Sequence, residues 1–409
     1  MEKRPLCRFK GYKEEWLETQ LSKIATRVNR KNEDLKSDRV LTISAQYGLI
    51  DQNDFFNRRI ASNSIQGYFL MESGEFAYNK SYSSEYPVGA VKRLKLYDLG
   101  VLSTLYILFS IDDESLAEWI EAFFESDKWH REVIKRASEG ARNHGLLNIS
   151  PSDFFELPFY YPSTPEEQHQ IAKFFSRLDT LIVAEDKKLA RLKNMKAASL
   201  EKMFPKQGET TPQVRFKGFS GEWGIGQLSN VAGYYRLSNE NIHHQNLLSL
   251  SYGKIIRKNI KSKKGLLPAS FDTYQVIKEN IIVLRFTDLQ NDHKSLRVGI
   301  SKEEGIISPA YVCLECKDNI SPDYLYLLLH YYDLCKVFYS MGDGMRQTLS
   351  YSDIRELPIL IPKDPMEQMY IAAFFSRLDT LISAQEKKAG KLRSLKKSFL
   401  EKMFVTLQK

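Results

Sequence analysis

The chain has 409 residues, 43% of them hydrophobic and 27% charged, with a formal net charge of +8. That length allows two or more cores, and the composition excludes a disordered chain. No apolar run reaches the ~18–20 residues of a membrane span, and "MEKRPLCRFKGYKEEW" at the start reads as no signal peptide. Four cysteines suggest no disulfide framework and so a reducing cytoplasm, while the basic balance favours a polyanionic partner.

In chain order, the first feature is "CRFKGYKEEW" (7–16), which returns as "VRFKGFSGEW" (214–223) with "QLS" at the same distance behind each Trp. Basic stretches follow at 27–39, 57–59 and 91–95, and later at 254–265. Arg, Asn and Gln suit base edges and Lys suits phosphate, so the candidate nucleic-acid contacts here are Arg27, Arg30, Lys31, Arg58, Arg59, Lys92 and Arg93. The second half adds Arg257, Lys258, Lys261, Lys263 and Lys264. For each one the plain alternative is a solvated surface.

Short β-branched and aromatic runs between turns predict mixed α+β domains over 27–135 and 234–340, which share only a faint frame. Tyr68 before "SGEFAY" parallels Tyr274 before "ENIIVL", and "GVLSTLY" (100–106) parallels "GIISPAY" (305–311). An aromatic-rich helical stretch closes each, at 115–137 and 322–339, and reads as core. A Gly-x-Arg turn follows, adding Arg142 and Arg346 to the candidate contacts, with a structural glycine turn as the other reading.

The strongest signal comes last in each half. Residues 166–205 and 366–405 share 23 identities in 40 positions without a gap, including "FFSRLDTLI" at 174–182 and 374–382. The chain is therefore a tandem duplication, with halves near 1–205 and 206–409. Each copy predicts a long helix with Thr164 or Asp364 as N-cap, Pro165 or Pro365 at N1, and Glu167 or Glu367 returning to the cap. Heptad spacing assigns helix pairing to Ile171, Phe174, Leu178, Leu181 and Leu192, and to Ile371, Phe374, Leu378, Leu381 and Leu392. Glu185, Lys188, Gln385 and Lys388 interrupt that seam, either fixing its register or marking where it tapers to solvent. Two like helices in one chain pack most simply on each other, antiparallel.

Catalytic motifs are missing: no phosphate-binding loop, no dinucleotide fingerprint and no metalloprotease helix. Cys313-x2-Cys316 with His330 and Cys335 has a superficial zinc spacing, but on a strand and a helix those positions face apart, so no metal is expected. The chain reads as a reader without chemistry of its own.

The segment "ELPxxxP…EQxxIAxFFSRLDTLI", present twice and each time behind a variable domain, resembles the specificity subunit of type I restriction-modification enzymes. The resemblance spans essentially the whole chain. It implies an α+β fold with target-recognition domains at 1–163 and 206–363 and conserved helices at 164–205 and 364–409, the latter forming an antiparallel, coiled-coil-like spacer. It implies that each domain reads one half of a split, non-palindromic DNA target. The implied partners are double-stranded DNA, two methyltransferase subunits, and restriction subunits that translocate and cut. The chain itself is then no enzyme and binds no cofactor, since S-adenosylmethionine, ATP and Mg2+ serve the partners. A stand-alone DNA-binding regulator is the second reading.

Overall fold

The computed structural model describes residues 3–44, 48–56, 65–83, 86–137, 147–240, 242–259, 268, 270–287, 296–341 and 348–406. It divides into two compact units, residues 1–186 with 387–409, and residues 187–386.

A four-stranded antiparallel sheet organises the first unit, in the spatial order Thr26–Val28, Ile107–Ser110, Phe76–Asn79, Ala90–Arg93. Its central strand is buried on both faces, so it reads as the continuous apolar run Phe76, Ala77, Tyr78. Phe76 and Tyr78 enter the larger core, and Ala77 the smaller one beneath two-stranded ribbons. Those ribbons pair Leu41–Ser44 with Gly48–Asp51, and Phe69–Glu72 with Leu99–Leu102. A third ribbon pairs Leu17–Gln20 with Pro158–Tyr161.

The second unit repeats this topology strand for strand. Its sheet runs Ala232–Tyr235, Val312–Cys316, Ile282–Leu284, Val298–Ile300, with ribbons 248–251/254–257, 275–277/305–307 and 224–227/358–361. The faint frame seen in the sequence is therefore a full structural repeat. Its central strand, Ile282–Leu284, likewise sends alternate side chains to two cores.

Helix α1 (Glu114–Phe124) starts where the Asp113 carboxylate accepts from the Ser115 and Leu116 amides. It buries Leu116, Trp119, Ile120 and Phe123. The helical stretch expected at 115–137 is in fact interrupted. Ser126 Oγ and Trp129 Nε1 donate to the carbonyls of Phe123 and Phe124, ending α1 before a short helix at His130–Arg136. In the second unit, 322–339 is also split. The α-helix stops at Leu334, Lys336 takes a left-handed φ of 63°, and a 3-10 turn follows at Val337–Ser340.

The two repeated segments form α2 (Pro165–Met203) and, after α3 (Pro322–Leu334), α4 (Pro365–Met403). Each has 39 residues, about 58 Å at 1.5 Å per residue. In the first unit the beginning of α2 lies beside the end of α4, with Phe175 stacked on Phe404 at 5.6 Å. In the second, the end of α2 lies beside the beginning of α4, with Phe204 and Phe375 6.2 Å apart. Within each unit the helices pair antiparallel, as expected.

Two details of the helix reading need correction. Thr164 Oγ1 is buried without a partner and does not cap α2, whereas Asp364 does accept from the Met366 amide at 2.8 Å. The pairing row also differs in phase. Burial follows Ile371, Phe375, Leu378, Ile382, Gln385 and Ala389, leaving Leu381 47% and Leu181 49% exposed. Phe174 causes the shift: it turns toward Phe9 as well as Phe399, at 5.8 and 5.0 Å, and Phe175 takes the seam position. Ile171 and Ile371 are buried in the seam, and Leu178, Leu192, Leu392, Phe174 and Phe374 pack at its half-exposed margin, with Leu378 inside it.

Candidate nucleic-acid interface

The repeated motifs first build a scaffold. "RFKG" supplies Arg8, whose Nε and Nη2 donate to the two Glu167 oxygens at 2.7 and 2.8 Å. Arg215 grips Glu367 in the same fork, at 2.5 and 2.7 Å. Glu167 and Glu367 are almost fully buried, at 1% and 0% exposure, and neither returns to its cap as expected from the sequence. Gln168 Nε2 donates to the Pro162 carbonyl while its oxygen accepts from Ser115 at the start of α1. Gln368 does the same with the Pro362 carbonyl and the Ser321 amide at α3. The "RFKG" and "PxEQ" motifs thus lock each sheet-bearing part to the first turn of its own long helix. Sequence reasoning saw both repeats but missed their pairing, because Arg and Glu lie 159 and 152 residues apart.

The polar part of the seam is equally ordered. Lys396 binds Asp179 in the first unit at 2.6 Å, and Lys196 binds Asp379 in the second at 2.6 Å. Arg393 pairs with Asp186, and Lys193 with Glu386 at 2.7 Å. Lys388 binds Glu185 at 2.6 Å, so the seam interruption at that point is an ion pair. The aspartate of "RLDT" is therefore repeated because the same lysine meets it in each unit.

The candidate contact residues fall into three groups. Lys92 and Arg93 are held in ion pairs. Lys92 pairs with Glu125, and Arg93 donates to both Glu114 oxygens at 2.8 and 2.6 Å, fastening the sheet edge to α1. Burial raises the Glu125 pKa, but Lys92 and Lys396 outweigh it and hold the carboxyl below its usual range. Arg30, Lys31 and Arg257 are occupied yet partly open. Arg30 binds Glu75 at 2.8 Å, Lys31 sits 3.9 Å above the Phe69 ring, and Arg257 binds Glu303 with its side chain 72% exposed. Arg27 and Lys258 are exposed, and their side chains have no partner among the described residues. Arg58, Arg59, Arg142, Lys261, Lys263, Lys264 and Arg346 lie outside the described residues.

Sequence reasoning passed over two features of the ribbons and the loops before them. Asn32 and Asn239, 1% and 2% exposed, each close a loop by accepting an amide hydrogen, from Ser37 and His244. Each also donates its backbone amide to the tyrosine carbonyl before the next ribbon, Tyr68 or Tyr274 at 3.0 Å. Gly48 in the ribbon 41–51 has a φ of 78°, and the ribbon 248–257 turns on Tyr252-Gly253, with Gly253 at φ 74°. Tyr252 stands 73% exposed at its tip, beside Lys254, Arg257 and Lys258. The signal was present in "QYG" and "SYG", but two shared letters are too few to stand out.

Among the described residues no group of three or more His, Cys, Asp or Glu side chains is placed to hold a metal ion. Burial pushes the Cys313 and Cys316 thiols up to about 12.

Residues 220–393 match the family described as type I restriction modification DNA specificity domain. Among solved structures, the chain is similar to the S subunit of a type I restriction-modification system from M. genitalium. Identity is 14% and the TM-score 0.58, covering 99% of this chain and 100% of that one. It is also similar to a chain from a type I R-M system solved for complex assembly and conformational transition. There identity is 14% and the TM-score 0.50, covering 95% and 97%. No curated protein matches the sequence.

Proposed function

We propose that this chain, whose residues 220–393 match the type I restriction modification DNA specificity domain and whose fold is similar to that of a solved S subunit, reads a two-part DNA target for a methylating and restricting complex. Each unit reads one half-site. The halves of the target differ because the readers share a frame but not a surface. Arg27 in the first unit, and Lys258 with Tyr252 in the second, are proposed DNA contacts, supported by their exposure. Arg58, Arg59, Arg142, Lys261, Lys263, Lys264 and Arg346 remain proposed contacts on sequence grounds.

The observation that carries this reading is the exact kinship of the two topologies against the divergence of their exposed residues. A scaffold protein would have no need to vary the surface while retaining the frame, and a palindromic reader would keep the surfaces alike. The paired ends of α2 and α4 are proposed to seat two methyltransferase subunits. Those subunits bind S-adenosylmethionine and flip the target adenine out of the duplex. Restriction subunits using ATP and Mg2+ complete the assembly in the cytoplasm, and this chain contributes no catalytic group. Mapping methylated adenines across the genome, with and without this gene, tests the proposal. Loss of methylation at one split, non-palindromic motif is the expected result; an unchanged map would refute it.

A further inference from the structure

The two units provide an internal control for one another, and they differ where Phe399 and Ser199 stand. In the first unit Phe399 covers Phe174, with ring centroids 5.0 Å apart. The residue 200 positions earlier is Ser199, which faces Phe374 in the second unit. A cavity of about 280 Å³ opens there, walled by Ser199, Met195, Val214, Phe216 and Phe374. An apolar cavity of about 150 Å³ is enough to hold benzene.

The surface beside it diverges in the same sense. Phe216, on the cavity wall, packs against Tyr370 at 5.8 Å. Tyr370 is 51% exposed, and its neighbours on the first turns of α4, Met366 and Met369, are 50% and 56% exposed. The matching residues on α2 are Glu166, His169 and Gln170. There His169 binds Glu118 at 2.7 Å and Gln170 accepts from Tyr12. One unit presents a polar, satisfied shoulder; the other presents thioethers, a tyrosine and an open socket. Apolar clusters of this kind on otherwise polar helices mark interaction surfaces, and methionines suit adaptable ones.

We infer that this socket and shoulder form a docking site for an aromatic side chain of the methyltransferase subunit held by the second unit. The inference rests on the proposed function. The occupant's chemistry is given by the first unit, where a phenylalanine ring fills the equivalent place. The Lys202 side chain on the socket wall and Lys217 next to Phe216 add positive charge, so acidic residues flank the incoming ring. Two identical partner subunits then meet unequal seats, and the second unit holds its partner more tightly.

Native mass spectrometry of the full chain, titrated with the purified methyltransferase subunit of the same system, reads both dissociation steps. Ser199→Phe, which fills the socket from within, weakens one step by about tenfold and spares the other. The exposed double change Met369→His with Tyr370→Gln, which leaves the core untouched, does the same. In the first unit, His169→Met with Gln170→Tyr strengthens the weaker step. The inference is overturned if the variants leave both steps unchanged, or shift both equally. Failure of the native chain to bind any methyltransferase subunit would instead refute the proposed function, and the inference with it.

Discussion

The two units fill one frame with different side chains: rings crowd the space beside α1, while beside α3 leucines share it with Tyr324, Phe204 and a few buried polar groups. Trp16, Trp119, Phe123, Trp129 and Phe154 crowd the core beside α1. The corresponding space beside α3 holds Leu325, Leu328 and Leu329, with Arg297, His330 and Asp333 buried nearby. Counted from the N-cap, His330 occupies the place of Ala122. Yet Phe404 and Phe204, from identical "LEKMF" segments, close both cores, and the same Arg–Glu fork anchors both helices. The difference teaches where duplication is constrained. Residues that meet the long helices stay alike, because each must fit a surface repeated in the other unit, while interiors repack freely once volume and pattern are kept.

The largest effects should come from breaking what the units share. Arg8→Ala or Arg215→Ala leaves a buried glutamate unpaired, a loss of about 3–5 kcal/mol. Phe175→Ala and Phe375→Ala cost a similar ~3–5 kcal/mol through the cavity left in the seam. Hydrogen exchange resolved by residue should show each variant loosening its own unit first. Equal loosening of both units by one substitution would contradict this.

A smaller effect should separate the units. Burial lowers the His330 pKa from an ordinary 6.5 to about 4, with Lys196 adding to the shift. The unfolded chain therefore takes up its proton first as pH falls. Stability from this group is full above pH 6.5 and is lost progressively toward pH 4, by up to ~3 kcal/mol. The second unit should accordingly lose protection over that range, and His330→Ala should flatten its profile; burial also lowers the His130 pKa, so the first unit loses some protection through that group. A profile unchanged by that substitution would show that other groups govern it.

Smallest in free energy is the division among the basic residues. Arg27→Gln and Lys258→Gln should each lower the slope of log affinity against log salt by about 0.9, the value of one phosphate contact. Arg93→Gln should leave that slope unchanged and instead lower stability, because its guanidinium belongs to Glu114. Fluorescence anisotropy with duplex DNA, run across salt concentrations, distinguishes the two classes.

The duplication, the long helices and their antiparallel pairing were legible because they rest on near-identical letters and on a period that physics fixes. The seam's phase was not, since Phe174 and Phe175 are both aromatic and only the packing of Phe9 decides which faces inward. The fork between Arg8 and Glu167 was hidden by chain separation rather than by weak signal. The strand-for-strand match of the readers was hidden by repacking: Phe76-Ala77-Tyr78 and Ile282-Val283-Leu284 perform one role with no letter in common. Arg93 and Lys92 looked like surface charge because sequence does not reveal that Glu114 and Glu125 lie beside them.

The central claim is that two independent readers share one scaffold. Exchanging residues 1–150 for the corresponding region of a relative, with both long helices intact, tests it directly when methylated adenines are then mapped genome-wide. The account predicts a new motif in which one half-site has changed and the other half-site, with the spacing between them, has not. A motif altered in both halves at once would contradict it.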